Sequence, residues 1–424
     1  MSDRMSRRAL LLRGGAALTA GALGLRGLEG LVTGGPAARA ADLRVGPARN
    51  TNMHLAGTDG WISLPVPPGG GKPPYLPDPL APDPMTTYVF GFRDVTGMTD
   101  AEVRAQKGKA QICAPLIYCE EGGTTQIVLT NLGFHYRPDL PDGHTIHWHG
   151  FRDAIPRMDG VPETSVSAPV GRDLPFLFHP KDPGTYMYHC HFEDVEHVQM
   201  GMTGVIVVTP AQSRALDPPF AGRKFAYNDG DGSTRYDREF AFMLTDMWLR
   251  SHWEDAHIQQ PEWSDYEADA WLLNGRSYPD TLAPGGDPLR VPPDPRLRYQ
   301  PISSLVSANA GDEVLLRFAS LGYRQHTMTA PGLDLRVVGR DATLLRGRDG
   351  TDLSYTTDSI DVGPGESFDA IFTAPAVDKL TTYLLYDRAY ADDPRRGAGG
   401  LGGMVTEIRV HPAGTLAAQG APNA

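Results

Sequence analysis

At 424 residues the chain has room for two domains of ordinary size, and 48 Gly with 37 Pro against 21% charged residues suit a turn-rich β architecture better than a helical one. A formal charge of −12 excludes the basic footprint that nucleic-acid binding requires. Three cysteines, Cys113, Cys119 and Cys190, exclude a disulfide scaffold and leave one thiol over from any pair.

The chain opens with Ser6-Arg7-Arg8-Ala9-Leu10-Leu11, an Ala/Leu/Gly stretch and Ala38-Arg39-Ala40. This pattern predicts a twin-arginine export signal over 1–40, cleaved after small residues, and hence a periplasmic or extracellular protein. Arg13 and Arg26 interrupt the apolar run well short of a bilayer's thickness, so no membrane span is expected. Loss of its six Arg and two acids takes the net charge from −12 to −16. Such acidity favours solubility and draws cationic donors. Residues 41–85 contain PVPPGGGKPPYLPDPLAPDP and little periodicity, which predicts a wrapping arm.

Strand-like runs follow: TTYVFGF, LIYCE, TTQIVLTNL, TIHWHG, LPFLFH, TYMYHCH and TGVIVVTP, separated by turn residues, predict a β-sandwich over 86–212. Cys113 and Cys119 lie in or beside one of these strands. An oxidising compartment permits a bridge between them, but spacing alone does not decide its geometry. A polar linker with NDGDGS leads to a second set of strands over 236–413, from EFAFMLTDMW to MVTEIRV. GGTTQIVLTNLG (122–133) resembles GDEVLLRFASLG (311–322), and GTYMYHCH (184–191) resembles TTYLLYDR (381–388). The expected fold is therefore all-β, with two related sandwiches.

Two strands carry the chemistry. In His144-Thr-Ile-His147-Trp-His149 the alternation of a strand puts His147 and His149 on one face and His144 on the other. In His189-Cys190-His191 the same parity sets two imidazoles against one thiol. Side by side, the strands present four imidazoles on one side and an imidazole with a thiol on the other. The loop after Cys190 adds His197 and Met202, and two His, one Cys and a weak axial Met form the ligand set of a blue, electron-transferring copper. Met200 is the rival axial ligand. Zinc also takes Cys and His, but it would leave the Met and the surplus imidazoles unexplained.

HTIHWHG, MDGVPE (158–163), DPGTYMYHCH, HVQMGM, WLLNGRSYPD and SIDVGPGESFDAIF together resemble the multicopper oxidases, the family of laccases, with copper nitrite reductases as relatives. The resemblance covers most of 86–413 and implies two cupredoxin-like Greek-key β-sandwich domains. It implies type 1 copper on His144, Cys190, His197 and Met202, and type 2/type 3 copper on His147, His149, His189 and His191. Asp159 is similar to a family acid that passes protons, although Asp before Gly160 is also a common turn residue. The implied activity takes electrons from a phenolic or metal-ion donor and reduces dioxygen to water. A nitrite-reductase-like enzyme and a non-catalytic electron-transfer protein are the alternatives.

The sequence departs from the family pattern in two places. Val195 stands five residues after Cys190, where the family places its histidine, and His197 comes two later, as after a two-residue insertion. A full three-copper cluster in the family draws four histidines from each of two domains. Here the repeat sets Tyr386, Asp387 and Arg388 opposite His189, Cys190 and His191, and it leaves His326 as the second domain's one counterpart to a ligand. By the family's habit a homotrimer would bring His326 to a neighbour's cluster. His54 is a further possible donor from the arm. His135, His179, His252, His257 and His411 show no ligand spacing.

Overall fold

The computed structural model describes residues 43–286, 294–391, 393–397 and 402–424, so the export signal expected at 1–40 lies outside the described residues. Four β-sheets stack in layers, two per domain, and the two middle layers face each other.

In the first domain the outer sheet runs in the order β2-β1-β4-β6, from β1 (Thr51–Ser63), β2 (Thr86–Asp94), β4 (Thr125–Asn131) and β6 (Asp173–Phe178). Its inner sheet is β3-β8-β7-β5, from β3 (Ile117–Glu120), β5 (His147–His149), β7 (Gly184–His189) and β8 (Thr203–Thr209). A short ladder of β9 (Lys224–Phe225) and β10 (Arg235–Tyr236) leads into the second domain.

The inner sheet of the second domain is built on β11 (Arg238–Met247), β12 (Ala270–Leu273), β14 (Glu313–Ser320), β16 (Leu335–Arg340), β17 (Thr343–Leu344), β18 (Tyr355–Thr357) and β20 (Ser367–Thr373). Its outer sheet is β13-β22-β21-β15-β19, from β13 (Val306–Asn309), β15 (His326–Thr329), β19 (Ser359–Val362), β21 (Thr381–Asp387) and β22 (Val405–His411).

Strand parity explains the layering. In β8, Ile206 and Val208 enter the first domain's core while Val205 and Val207 pack with Ala241, Met243 and Ala319 of the second domain. Both faces of the strand are covered, so its sequence is a continuous apolar run without alternation. In β11, Phe240, Phe242 and Leu244 turn to the second core.

The repeat seen in the sequence is a repeat of topology. β1 lies antiparallel to β2 and parallel to β4, as β11 lies antiparallel to β12 and parallel to β14. β3 is parallel to β8 as β13 is to β22. The expectation that 41–85 is wholly an arm is thereby corrected: 51–63 is an inner strand of the first sandwich. Its Gly57 and Gly60 sit where backbone meets bulky neighbours, a β-carbon at Gly60 falling 2.8 Å from the amide nitrogen of Ala110. Close packing, and not a turn, is what these glycines serve. Cys113 and Cys119 are free thiols, since Cys113 packs into the layer between the domains and Cys119 into the first core.

Candidate metal centre

β7 delivers the central motif. Tyr186, Tyr188 and Cys190 point into the first core, whereas Met187 points to the second domain, and His189 and His191 follow the parity of Met187. β5 lies antiparallel beside it with His147 opposite His189 and His149 opposite Met187. One strand pair thus serves two sites on opposite sides of a single sheet.

On the core side, Cys190 Sγ lies 3.2 Å from His197 Nδ1 and 4.0 Å from His144 Nδ1, and all three residues are fully buried. Met202 is equally buried, and a β-carbon on Gly57 would fall 2.6 Å from His144 Cδ2 and 3.3 Å from the Met202 methyl, so thioether and imidazole lie together against β1. Met200 is buried too, with its carbonyl accepting from the Phe90 amide. The stacked rings of Phe90 and Phe134, 4.1 Å apart, close the site.

Burial alone would raise the Cys190 pKa, but His197 and His144 hold it well below the usual thiol value. Burial alone would lower that of His197. The thiolate and the carboxylate of Asp142, 3.6 Å from His197 Nε2, instead raise it to about 10. A buried thiolate facing two imidazole nitrogens, with a thioether alongside, is a donor set that fits copper.

The longer ligand loop has a structural cause. Residues Asp194–Gln199 form a short helix, here α1, entered through Glu193 in the left-handed conformation at φ 48°. His197 sits in its last turn, so the two extra residues complete a helical turn that returns the imidazole to Cys190.

On the opposite side, the ligand nitrogens of His147, His149 and His189 lie within 4.8 Å of one another. His191 flanks them, its ring stacked at 5.5 Å on His189 and its Nδ1 3.9 Å from the Asp194 carboxylate. The Nδ1 of His147 donates to the Asp159 carbonyl at 2.7 Å and that of His189 to the Cys190 carbonyl at 2.8 Å, which leaves both Nε2 atoms free to bind metal. Burial lowers the pKa of His149, and lowers that of His189 to about 3, so both are neutral ligands at neutral pH. Asp159 presents its carboxylate 3.4 Å from His147 Nδ1, and burial raises its pKa.

Of these imidazoles, His149 and His189 line a cleft of about 700 Å³ between the domains, walled further by Asp194, Tyr266, Tyr323, Arg324 and Gly365. Two sequence expectations fail here. His326 is fully buried in its own domain, with Nδ1 3.0 Å from Asp387 and Nε2 3.1 Å from Asp246, so neither nitrogen is available to a metal at a neighbour's surface. His54 lies on β1 in the outer sheet, bonded through Nε2 to the Thr130 hydroxyl at 2.6 Å, and does not approach the cleft. Asp142 and Gly57, which the sequence did not single out, belong to the thiol site; Asp142-Gly143-His144 carries only a turn signal, and Gly57 none.

Paired sandwiches with a thiol–imidazole site on one side of a sheet and an imidazole cluster on the other define a two-domain cupredoxin copper protein. The multicopper oxidase family matches residues 95–213 and again residues 238–400, more than half of the chain, and the chain belongs to that family. Laccase-1 of Cryptococcus neoformans var. grubii is 26% identical over 262 residues, which are 59% of this chain and 36% of the relative. The chain thus spans well under half of that relative's length. The blue copper oxidase of Nitrosomonas europaea shares the fold with a TM-score of 0.56 at 21% identity, over 85% of this chain and 86% of its own. A copper nitrite reductase from the same organism does so with 0.54 at 15%, over 88% and 97%.

Proposed function

We propose that the protein is a copper oxidase that takes single electrons from a phenolic or metal-ion donor at the Cys190 site and passes them to dioxygen at the imidazole face, forming water. The observation that carries this reading is the sharing of one strand: Cys190 faces the core site, while its covalent neighbour His189 lines the cleft and His191 packs against the same imidazole cluster. His144, Cys190, His197 and Met202 hold the blue copper; His147, His149 and His189 converge at the second site, with His191 packed beside them. Copper, when bound, supplies one-electron redox chemistry at both places.

The chain's own groups do the rest. Phe90 and Phe134 exclude water from the thiolate and keep the ligand geometry from rearranging. The backbone from Cys190 to either flanking histidine is the shortest covalent route between the sites. The carbonyl of Asp159 orients His147, and its carboxyl, raised in pKa by burial, stands 3.4 Å from His147 Nδ1 beside the cluster. Export by the twin-arginine route rests on the Arg7-Arg8 pattern, and among the described residues no helix is long and apolar enough to cross a membrane. Assembly as a homotrimer belongs to the same reading, a neighbouring copy covering the open cleft.

Loading the full chain with Cu(II) and following the blue band and oxygen uptake with a phenolic dye tests the proposal. Cys190→Ser is expected to abolish both. Nitrite turnover without oxygen uptake would move the protein to the nitrite-reductase-like reading, and a blue band with neither turnover to an electron carrier.

A further inference from the structure

We infer that the cleft side of the sheet holds a single copper, on His147, His149 and His189 of one chain, in place of the three-copper cluster of the family. The inference rests on the reading of this face as a copper site and sharpens what that site is.

The histidines decide it. The chain has 13, all among the described residues. Six stand at the two sites, and no two of the remaining seven are two residues apart in sequence, the spacing that sets two imidazoles on one face of a strand. Several are already committed. His326 is held at both nitrogens by Asp246 and Asp387, His252 is fully buried with Nδ1 on the Tyr88 carbonyl, and His257 stacks on Trp253. A second domain laid over the cleft, whether of this chain or of a second copy, therefore brings no His-x-His pair to it.

The wall opposite the three imidazoles points the same way. It is made by Leu321, Gly322, Tyr323, Pro364 and Gly365 of the same chain's second domain, none of which is a copper ligand of the family's kind. The Gly365 backbone lies close enough that a β-carbon there would sit 3.2 Å from His149 Nε2. The ring of His191 packs 5.2 Å from that of His147, but its ligand nitrogens lie outside the convergent group of three, with Nδ1 3.9 Å from Asp194. Three imidazoles converging on one point make a donor set for one copper.

The chain then stores two electrons, one at each copper, and the four electrons needed to take dioxygen to water are drawn from the donor in at least two rounds. The full chain is saturated with Cu(II), desalted, and its copper counted by mass spectrometry while the unpaired spins are integrated by electron paramagnetic resonance. Two coppers per chain, each contributing a spin, and two electrons taken up in an anaerobic reductive titration are expected. His149→Ala combined with His189→Ala is expected to leave one copper and an unchanged blue band. Three or more coppers per chain, a spin count below the copper count, or a double variant that still binds two coppers would overturn the inference, as would a wild-type chain that binds copper at the thiol site alone. A chain with the imidazole copper but no blue band would instead remove the oxidase reading and leave the one-copper site standing.

Discussion

Two glycines, each placed by a neighbour's ring or carbonyl, separate the two metal sites experimentally. At Gly57 an added methyl group would press on His144 Cδ2 at 2.6 Å and on the Met202 methyl at 3.3 Å. Gly57→Ala is expected to displace these ligands, shifting or weakening the blue band, at an overpacking cost of about 1–3 kcal/mol. A copper-loaded absorption spectrum with a urea unfolding curve checks both parts. Gly160 has φ +79°, and a β-carbon there would fall 2.3 Å from the Ile146 carbonyl oxygen. Gly160→Ala therefore moves the adjoining Asp159 carbonyl off His147. Copper affinity at the imidazole site should drop roughly 10–100-fold, as for loss of an orienting partner, with the blue band retained. Parallel loss of both sites in a competitive copper titration would show that the two sides of the sheet are not independent.

At the scale of elements, β15 and β21 of the second domain keep the geometry of their first-domain counterparts but exchange a metal site for an ion cluster. Burial alone would lower the His326 pKa, yet Asp246 and Asp387 raise it to about 9. For a group raised in the folded state, the stability contribution is fully present below the unfolded value near 6.5 and is lost as pH rises through 9. Asp246 is shifted the opposite way: burial would raise its pKa, but His326 holds it below the usual value, so its contribution fades only in acid. Metal-free protein is thus expected to lose about 3 kcal/mol between pH 6.5 and 9, and His326→Gln to lose far less over the same interval. Melting temperatures of both proteins across that range measure the difference, and equal slopes would show that the clamp does not govern alkaline stability.

The same elements show what was legible. Alternation along HWH and HCH is a local property, so the opposed thiol and imidazole faces could be read directly from order. The partners of His326 lie 80 and 61 residues away, and no local pattern announces them. Strand β1 was hidden for a related reason: its Gly57 and Gly60 answer to His144 and Ala110, and its Asp59 is fully buried, accepting from the Tyr88 hydroxyl and the His135 and Tyr136 amides. Removed from those contacts, glycine and aspartate look like turn residues. The two extra residues between Cys190 and His197 were visible, but not the helix they complete.

Across the whole molecule, the position of one domain over the other depends on a charge cluster in the middle layers. Arg317 of β14 is fully buried; its Nε donates to Glu239, and its Nη1 donates to Asp369 at 3.1 Å and to the Thr185 hydroxyl at 3.0 Å. Thr185 stands on β7, four residues before His189, and its hydroxyl also donates to Asp369 at 2.5 Å. The strand that ends in the copper motif is therefore pinned to the second domain by directional bonds, while Met187, Val205 and Ala241 around it supply adhesion without fixing a position. Arg317→Met leaves two buried carboxylates without their cation and is expected to cost about 3–5 kcal/mol. Adding Glu239→Gln and Asp369→Asn removes the uncompensated charge, so most of that loss should return in denaturant unfolding. The imidazole site should not recover with it, because neutral side chains no longer hold β7 in register with the wall at Gly365, and copper affinity there should stay reduced although stability is restored. Recovery of both together would assign the cluster to stability alone.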